Sequence, residues 1–508
     1  MTHFVTTPIY YVNAQPHLGH AYTTIAADVI TRYQRLTGAD AFFLTGTDEH
    51  GTKIAQAAEE AGIDVKAFCD QNSQRFRDLL PLLNAREDFF IRTTDEQHGA
   101  FVQKILSKLH EQGDIYEATY SGPYCTACEA YYAEDDLLDG TMCPVHKRPA
   151  TTLDETNWFF RLSAYEDRLR TLYETTPDFV TPRVRFNEAL SFINSGLQDI
   201  SVTRSSISWG VHVPWDASQV FYVWVDALFN YASALTYARP GEDLTDHYWP
   251  PALQILAKDI LKFHAVIWPA LLMAAGLELP KRLLIHGYLM MSGDKMSKTM
   301  GNVFDPFPVI EQHGADPVRF YVLREVQFGQ DGSVSHEGYE QRYNTELAND
   351  LGNLVSRTAA MATRYLDGGV LSTAPATSDI AQLTASTIAT WRTQMDAYEL
   401  SAALETVWNL IRALNRHVEE RAPWNLAKDE SSAQLLADTL AELAEGVTAA
   451  AWALSPVMPE TSARILAAFG VDAATALAPG AAWSWGWTSG CTVTKPDALF
   501  PKLEVVAQ

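Results

Sequence analysis

The chain is poor in cysteine, with five in 508 residues. So few thiols exclude a disulfide-stapled scaffold. It is also short of positive charge: 38 Lys and Arg face 62 Asp and Glu, for a net charge of −24. A surface that acidic argues against a broad basic face for nucleic acid. It confines any phosphate contact to a local patch whose binding should depend strongly on salt. No apolar run is long enough to span a bilayer; the longest, residues 265–277, contains Pro269 and is expected to be a buried helix. No basic segment followed by an apolar one opens the chain, so no secretory signal is expected and a cytoplasmic location is.

What remains is a chain that is 47% apolar and 20% charged, with length for several domains. Residues 3–12 are apolar, β-branched and aromatic, which predicts a buried strand. Residues 19–36 have helical spacing and end at Gly38, residues 41–44 read as a second strand, and residues 45–51 as a polar turn before an Ala- and Glu-rich helix. That alternation predicts a parallel α/β sheet with ligands beyond the carboxyl ends of its strands. Near Ile115 the pattern lapses, and residues 115–214 read as an insertion. Strand patterns resume at 221–225 and 253–256, and residues 283–289 form a strand leading into a polar, lysine-bearing loop. From about Tyr339 onward the pattern is helical. Leu400, Leu404, Val407, Ile411, Leu414 and Val418 mark one buried helical face. Residues 372–377 read as a loop, and beyond Gly470 no element is expected.

Two short strings carry the chemistry. His17-Leu18-Gly19-His20 sits where the first strand turns into the first helix, and Lys295-Met296-Ser297-Lys298-Thr299 follows the strand at 283–289. The imidazoles can donate to phosphate oxygens at a helix N-terminus, and Gly19 lets the backbone approach an adenine or ribose. Lys295 and Lys298, on a loop flanked by Gly293 and Gly301, suit closure over a triphosphate. Displacement at an α-phosphorus needs positioning and charge stabilisation more than a covalent nucleophile. A third pattern, Cys125-x2-Cys128 followed by Cys143-x2-His146, offers three thiolates and an imidazole at a spacing that suits one tetrahedral, structural Zn2+.

On the first two strings the chain resembles class I aminoacyl-tRNA synthetases, whose HIGH and KMSKS motifs they match, with Thr299 in place of the last serine. It looks specifically like methionyl-tRNA synthetases of the single-zinc-knuckle form. The resemblance implies a doubly wound parallel-sheet nucleotide-binding domain, an inserted zinc-knuckle connective domain and a C-terminal α-helical anticodon-binding domain. The boundaries expected are 1–114 and 215–280 for the catalytic halves, 115–214 for the insertion, 281–338 for a stem-contact region with the lysine loop, and 339–508 for the helical domain and tail.

The resemblance also implies site residues. Methionine offers an ammonium, a carboxylate and a poorly hydrogen-bonding thioether, so its pocket needs one carboxylate and several aromatics. Asp48 would bind the ammonium. Ile9, Tyr11, Trp224, Tyr231, Phe263, His264 and Trp268 would enclose the side chain, and Asp259 would hold the ribose. ATP, brought with Mg2+, would meet Tyr11, His17, Gly19, His20, Asp259 and Lys298. Asn353, Arg357 and Trp424 would read the anticodon by hydrogen bonding and stacking. The reaction implied joins L-methionine to tRNA(Met), initiator included, through methionyl adenylate. An apolar pocket of this kind should also activate homocysteine to some extent. No membrane partner is expected, and a monomer is.

Rival readings are a synthetase for leucine, isoleucine, valine or cysteine, and a non-catalytic tRNA-binding relic. The branched-chain enzymes usually carry a far larger insertion, and the cysteine enzyme uses zinc at its pocket. Relics often lose a motif histidine or lysine, whereas all four are present here.

Overall fold

The computed structural model describes residues 1–125, 130–132, 137–144, 147–291 and 304–503. Its centre is a parallel sheet. β1 (Thr2–Thr6) and β2 (Tyr10–Tyr11) pair with β3 (Asp40–Asp48), which also pairs with β4 (Phe89–Arg92). Residues 3–12 are therefore not one strand. Pro8 has no N–H to give a ladder, and the register against β3 shifts by one between Thr6↔Leu44 and Tyr10↔Thr47. β3 in turn runs on through residues 45–48, expected as a turn, because the parallel neighbours on its flanks continue to bond it.

Gly46 makes that possible. A Cβ there would lie 2.0 Å from the Ile91 carbonyl oxygen, so no other residue lets β3 and β4 approach this closely.

The antiparallel part follows. β5 (Ile115–Cys125) pairs with β6 (Ala130–Tyr131) and, over ten residue pairs, with β7 (Thr151–Phe160). β8 (Val180–Thr181), although inside the stretch expected as an insertion, joins the parallel sheet, while β9 (Ile200–Ser201) caps β7. β10 (Thr203–Arg204), β11 (His212–Val213) and β12 (Asp216–Phe221) form a small sheet. β13 (Ala252–Ala257) and β14 (Arg282–His286) complete the parallel one, in the order β2-β3-β1-β13-β14-β8. Leu253, Ile255, Leu256, Leu283 and Ile285 are buried, as both faces are covered by helices.

Two further expectations need correction. The strand at 221–225 stops at Phe221, and residues Val223–Leu228 are a helix capped by extended Tyr222. Val-Trp-Val favours a strand, but packing against the neighbouring helices overrides that propensity. The strand at 283–289 is two pieces: β14 ends at His286, and β15 (Leu289–Met291) pairs in parallel with β16 (Gly332–Val334).

The C-terminal part is a bundle of long helices, Asn353–Tyr365, Asp379–Asp396, Leu400–Arg421 and Ala433–Leu454, closed by Pro459–Ala468. The stripe from Leu400 to Val418 is buried throughout. Beyond Gly470 only the short helix Ala473–Ala476 forms among the described residues, yet the tail is tied down. Buried Glu445 accepts from the Gly486 and Thr488 amides at 3.0 and 2.7 Å and from the Thr488 hydroxyl at 2.6 Å. Among the described residues no helix is long and apolar enough to cross a membrane.

Candidate active site

The histidine string starts α1 (Leu18–Leu36), with His17 as its N-cap. His17 Nδ1 accepts from the Gly19 amide at 3.1 Å, and His20 Nδ1 accepts from the His17 amide at 3.1 Å. Both δ nitrogens are acceptors, so the neutral rings carry their protons on Nε2. Each leaves one N–H to donate to an oxygen at the helix N-terminus, where the macrodipole already favours an anion. The rings stack with centroids 3.7 Å apart. Gly19 suits this cap: a Cβ there would lie 3.0 Å from His17 Cε1 and crowd the ring.

Burial, with repulsion from His17 second, pulls His20 down to about 3. At neutral pH it is an uncharged donor, not a cation. Tyr10 and Phe76, to which no motif points, wall it in at ring distances of 4.8 and 5.1 Å. Only the tertiary fold brings Phe76, on the helix Val65–Leu82, to this point.

Asp48 is buried at the carboxyl end of β3, opposite Tyr11 in the register. Its neighbours are held rigidly. Glu49 is fully buried and receives Arg92 bidentately at 2.6 and 2.7 Å, with Thr94 at 2.6 Å. The Trp209 indole donates to the Glu49 carbonyl at 2.6 Å.

Tyr231 links several of the expected pocket residues. Tyr231, on the helix Asn230–Leu235, is buried and bonds His264 Nε2 through its hydroxyl at 2.8 Å. Its phenol is pushed up chiefly by burial, with further contributions from Tyr10 and Asp48, which places all three in one neighbourhood. Trp268 is fully buried, 6.2 Å from the Tyr231 ring. Trp224 and Phe263 stack in parallel at 4.1 Å and are only partly buried. Residues 263–267 form a π-turn, a common device for aiming side chains, and it aims His264 inward. His264 Nδ1 faces the Ile260 carbonyl at 3.1 Å, and burial lowers its pKa to about 4. Ile9 is half-buried at the break between β1 and β2. Asp259 is exposed, on a short turn after β13.

Lys295 and Lys298 lie outside the described residues. The approach to their segment is anchored, however. Lys258 pairs with Asp331 at 2.5 Å, and Asp331 accepts from the Tyr288 amide at 2.8 Å, one residue before β15. Tyr288 is thus held to Lys258, the residue before Asp259, through Asp331.

Of the zinc candidates, Cys128 and His146 also lie outside the described residues. Cys125 and Cys143 are buried and joined by no disulfide. Cys143 Sγ lies 3.6 Å from Tyr132 Oη, and the Tyr132 amide bonds the Pro123 carbonyl two residues from Cys125. Two buried thiols at a loop with little core of its own suit a metal ligand set. Among the described residues no group of three or more metal-binding side chains occurs.

In the helical domain Asn353 is exposed and Arg357 follows one turn later on the same helix. Ala422 adopts a left-handed conformation and Pro423 opens a short helix, which sets Trp424 at a corner. The Arg357 guanidinium lies 5.7 Å from the Trp424 ring and pairs with Glu419 at 2.7 Å.

A parallel nucleotide-binding sheet, a histidine-capped helix at its ligand end and an appended helical bundle define a class I aminoacyl-tRNA synthetase. The family model for class I tRNA synthetases (M) matches residues 3–152 and 135–359, and that for the anticodon-binding domain of methionyl tRNA ligase matches 368–506. The chain is 43% identical to the methionine–tRNA ligase of Caldanaerobacter subterraneus, over 99% of this chain and 79% of that one. It is 43% identical to that of Streptomyces coelicolor, over 99% and 97%. Mycobacterium tuberculosis methionyl-tRNA synthetase, solved in complex with methionyl-adenylate, superposes with a TM-score of 0.92 at 42% identity, over 98% of this chain and 99% of that one. The chain belongs to the methionine–tRNA ligase family.

Proposed function

We propose that these residues carry the two steps of methionine–tRNA ligation. The methionine carboxylate attacks the α-phosphorus of ATP, pyrophosphate leaves, and methionyl adenylate remains. The 2′-hydroxyl of the terminal adenosine of tRNA(Met), initiator included, then attacks the methionyl carbonyl and AMP leaves. One observation carries the reading: Tyr10 packs against His20 with ring centroids 4.8 Å apart, Tyr10 and the buried Asp48 both act on the Tyr231 phenol, and that phenol bonds His264 at 2.8 Å.

In this reading Asp48 binds the substrate ammonium, and the pocket takes the thioether by shape and sulfur–aromatic contact. Ile9 and Tyr11 line it from the strand break, and Trp224 and Phe263 form its mouth. His17 and His20 donate to phosphate oxygens as charge develops in the transition state. Gly19 lets the nucleotide approach α1, Asp259 holds its ribose, and Lys295 and Lys298 close over the pyrophosphate. Magnesium, brought in with ATP, would supply further charge neutralisation. Cys125, Cys128, Cys143 and His146 would hold one zinc whose role is structural, since four protein ligands leave no open position. Asn353, Arg357 and Trp424 would read the anticodon. The reading is of a monomer at work in the cytoplasm.

The experiment is amino-acid-dependent ATP–pyrophosphate exchange across all the protein amino acids. Methionine should support exchange far above the others. Exchange driven by leucine, isoleucine, valine or cysteine, or none at all, would overturn the reading.

A further inference from the structure

Beneath the pocket runs a chain of buried polar side chains that the chemistry above does not use. Asp226 is fully buried. Its Oδ2 lies 2.6 Å from His50 Nδ1, and its Oδ1 lies 2.9 Å from His98 Nε2. His98, also fully buried, places Nδ1 2.7 Å from the Ser233 hydroxyl. Burial alone would push the Asp226 carboxyl up, but the two imidazoles outweigh it and hold the group at about 2. Asp226 is therefore ionised and both nitrogens facing it are N–H donors, while the Ser233 hydroxyl lies within hydrogen-bond reach of both His98 Nδ1 and, at 3.3 Å, the Asn230 carbonyl.

The placement of its members is what gives the chain a purpose. His50 is two residues from Asp48, Asp226 two from Trp224, and Ser233 two from Tyr231. On a helix, residues two apart point to different sides. Trp224 thus faces Phe263 while Asp226 faces the two histidines, from one short helix. Three walls of the pocket, on β3 and on the helices Val223–Leu228 and Asn230–Leu235, are cross-tied by one polar chain. The helix Glu96–Glu111 supplies the central tie through His98.

We propose that Ser233, His98, Asp226 and His50 are positioning residues that set the spacing between the ammonium-binding carboxylate and the aromatic wall. The proposal rests on the reading of Asp48, Trp224 and Tyr231 as the methionine pocket. A displacement of a fraction of an ångström between those walls weakens methionine binding without disturbing ATP, whose contacts lie on α1 and near Asp259.

The test is steady-state pyrophosphate exchange with Asp226→Asn, Ser233→Ala and Asp48→Asn. Asp226→Asn turns an N–H acceptor into a donor against one imidazole. It should raise KM for methionine by about tenfold or more, and KM for ATP by less than about twofold. Ser233→Ala removes one hydroxyl at the end of the chain and should raise KM for methionine by about threefold with the same selectivity. General loosening of the fold would move both KM values together. If Asp226→Asn does not fold, Ser233→Ala decides alone. A folded variant whose KM for methionine stays at the wild-type value, or rises in step with that for ATP, overturns the proposal. Asp48→Asn separates the two layers. If it raises KM for methionine while the other variants do not, the cross-tie fails and the pocket stands. If it leaves KM for methionine unchanged, the pocket reading itself fails.

Discussion

Arg319 Nη2 and Asp28 Oδ2 lie 2.6 Å apart in a buried ion pair between two helices. Asp28 is on α1, the helix that begins with His17. Arg319, on the helix Ala315–Glu325, also donates to the carbonyls of Leu83, Pro456 and Val457 at 3.1, 2.8 and 2.7 Å. One guanidinium therefore holds α1, the loop before β4 and the turn between the last two long helices.

Arg319→Met should leave Asp28 buried with only Arg32 as a charged partner. The carbonyls of Leu83, Pro456 and Val457 would keep no guanidinium donor. Removing one partner of a buried pair costs about 3–5 kcal/mol. The urea midpoint should drop accordingly. The double variant Asp28→Asn/Arg319→Met should recover part of the deficit, because the stranded charge is gone.

Trp424 sits at a helix corner far along the chain from the adenylate chemistry. Trp424→Ala should cut aminoacylation of tRNA(Met) severely and leave ATP–pyrophosphate exchange near wild type. Equal loss of both activities would refute the anticodon role.

The paired cysteine pattern predicts one zinc per chain in protein purified without chelator, measured by elemental analysis. A content well below stoichiometric would refute it. Chelation should loosen the region around β5 to β7 before it affects the sheet, since a closed metal site contributes folding energy locally.

His264 supplies a pH signature. Burial holds it at about 4, against 6.5 for an ordinary histidine. The unfolded chain therefore takes up a proton first. The contribution to stability is full above about 6.5 and is lost as pH falls towards about 4, for at most about 3 kcal/mol. Urea denaturation across that window should show a steeper loss for the wild type than for His264→Gln. Matching slopes would show that His264 is not buried in its neutral form.

Much of the site is legible in the sequence because its residues are close together there. The capping of α1 needs only His17, Gly19 and His20, which meet within one helical turn. The stripe from Leu400 to Val418 needs only a helical period. Pro8 is in plain view, yet the strongly β-forming residues on either side of it mask the break it makes in the first strand. Trp224 reads as a strand residue for the same reason. Phe76, His98 and Ser233 carry no local signal, because each matters only through a partner distant in the chain.

The sequence by itself determined the family, the kind of chemistry and the elements whose periodicity is local, since hydrogen bonding and hydrophobic pattern within a few residues are enough to specify them. Tertiary structure alone decided which buried polar groups meet: Arg319 with Asp28, Glu49 with Arg92, and Asp226 with both His50 and His98. A buried charge is stable only with its partners in place, and those partners come from elements that packing, not sequence proximity, brings together.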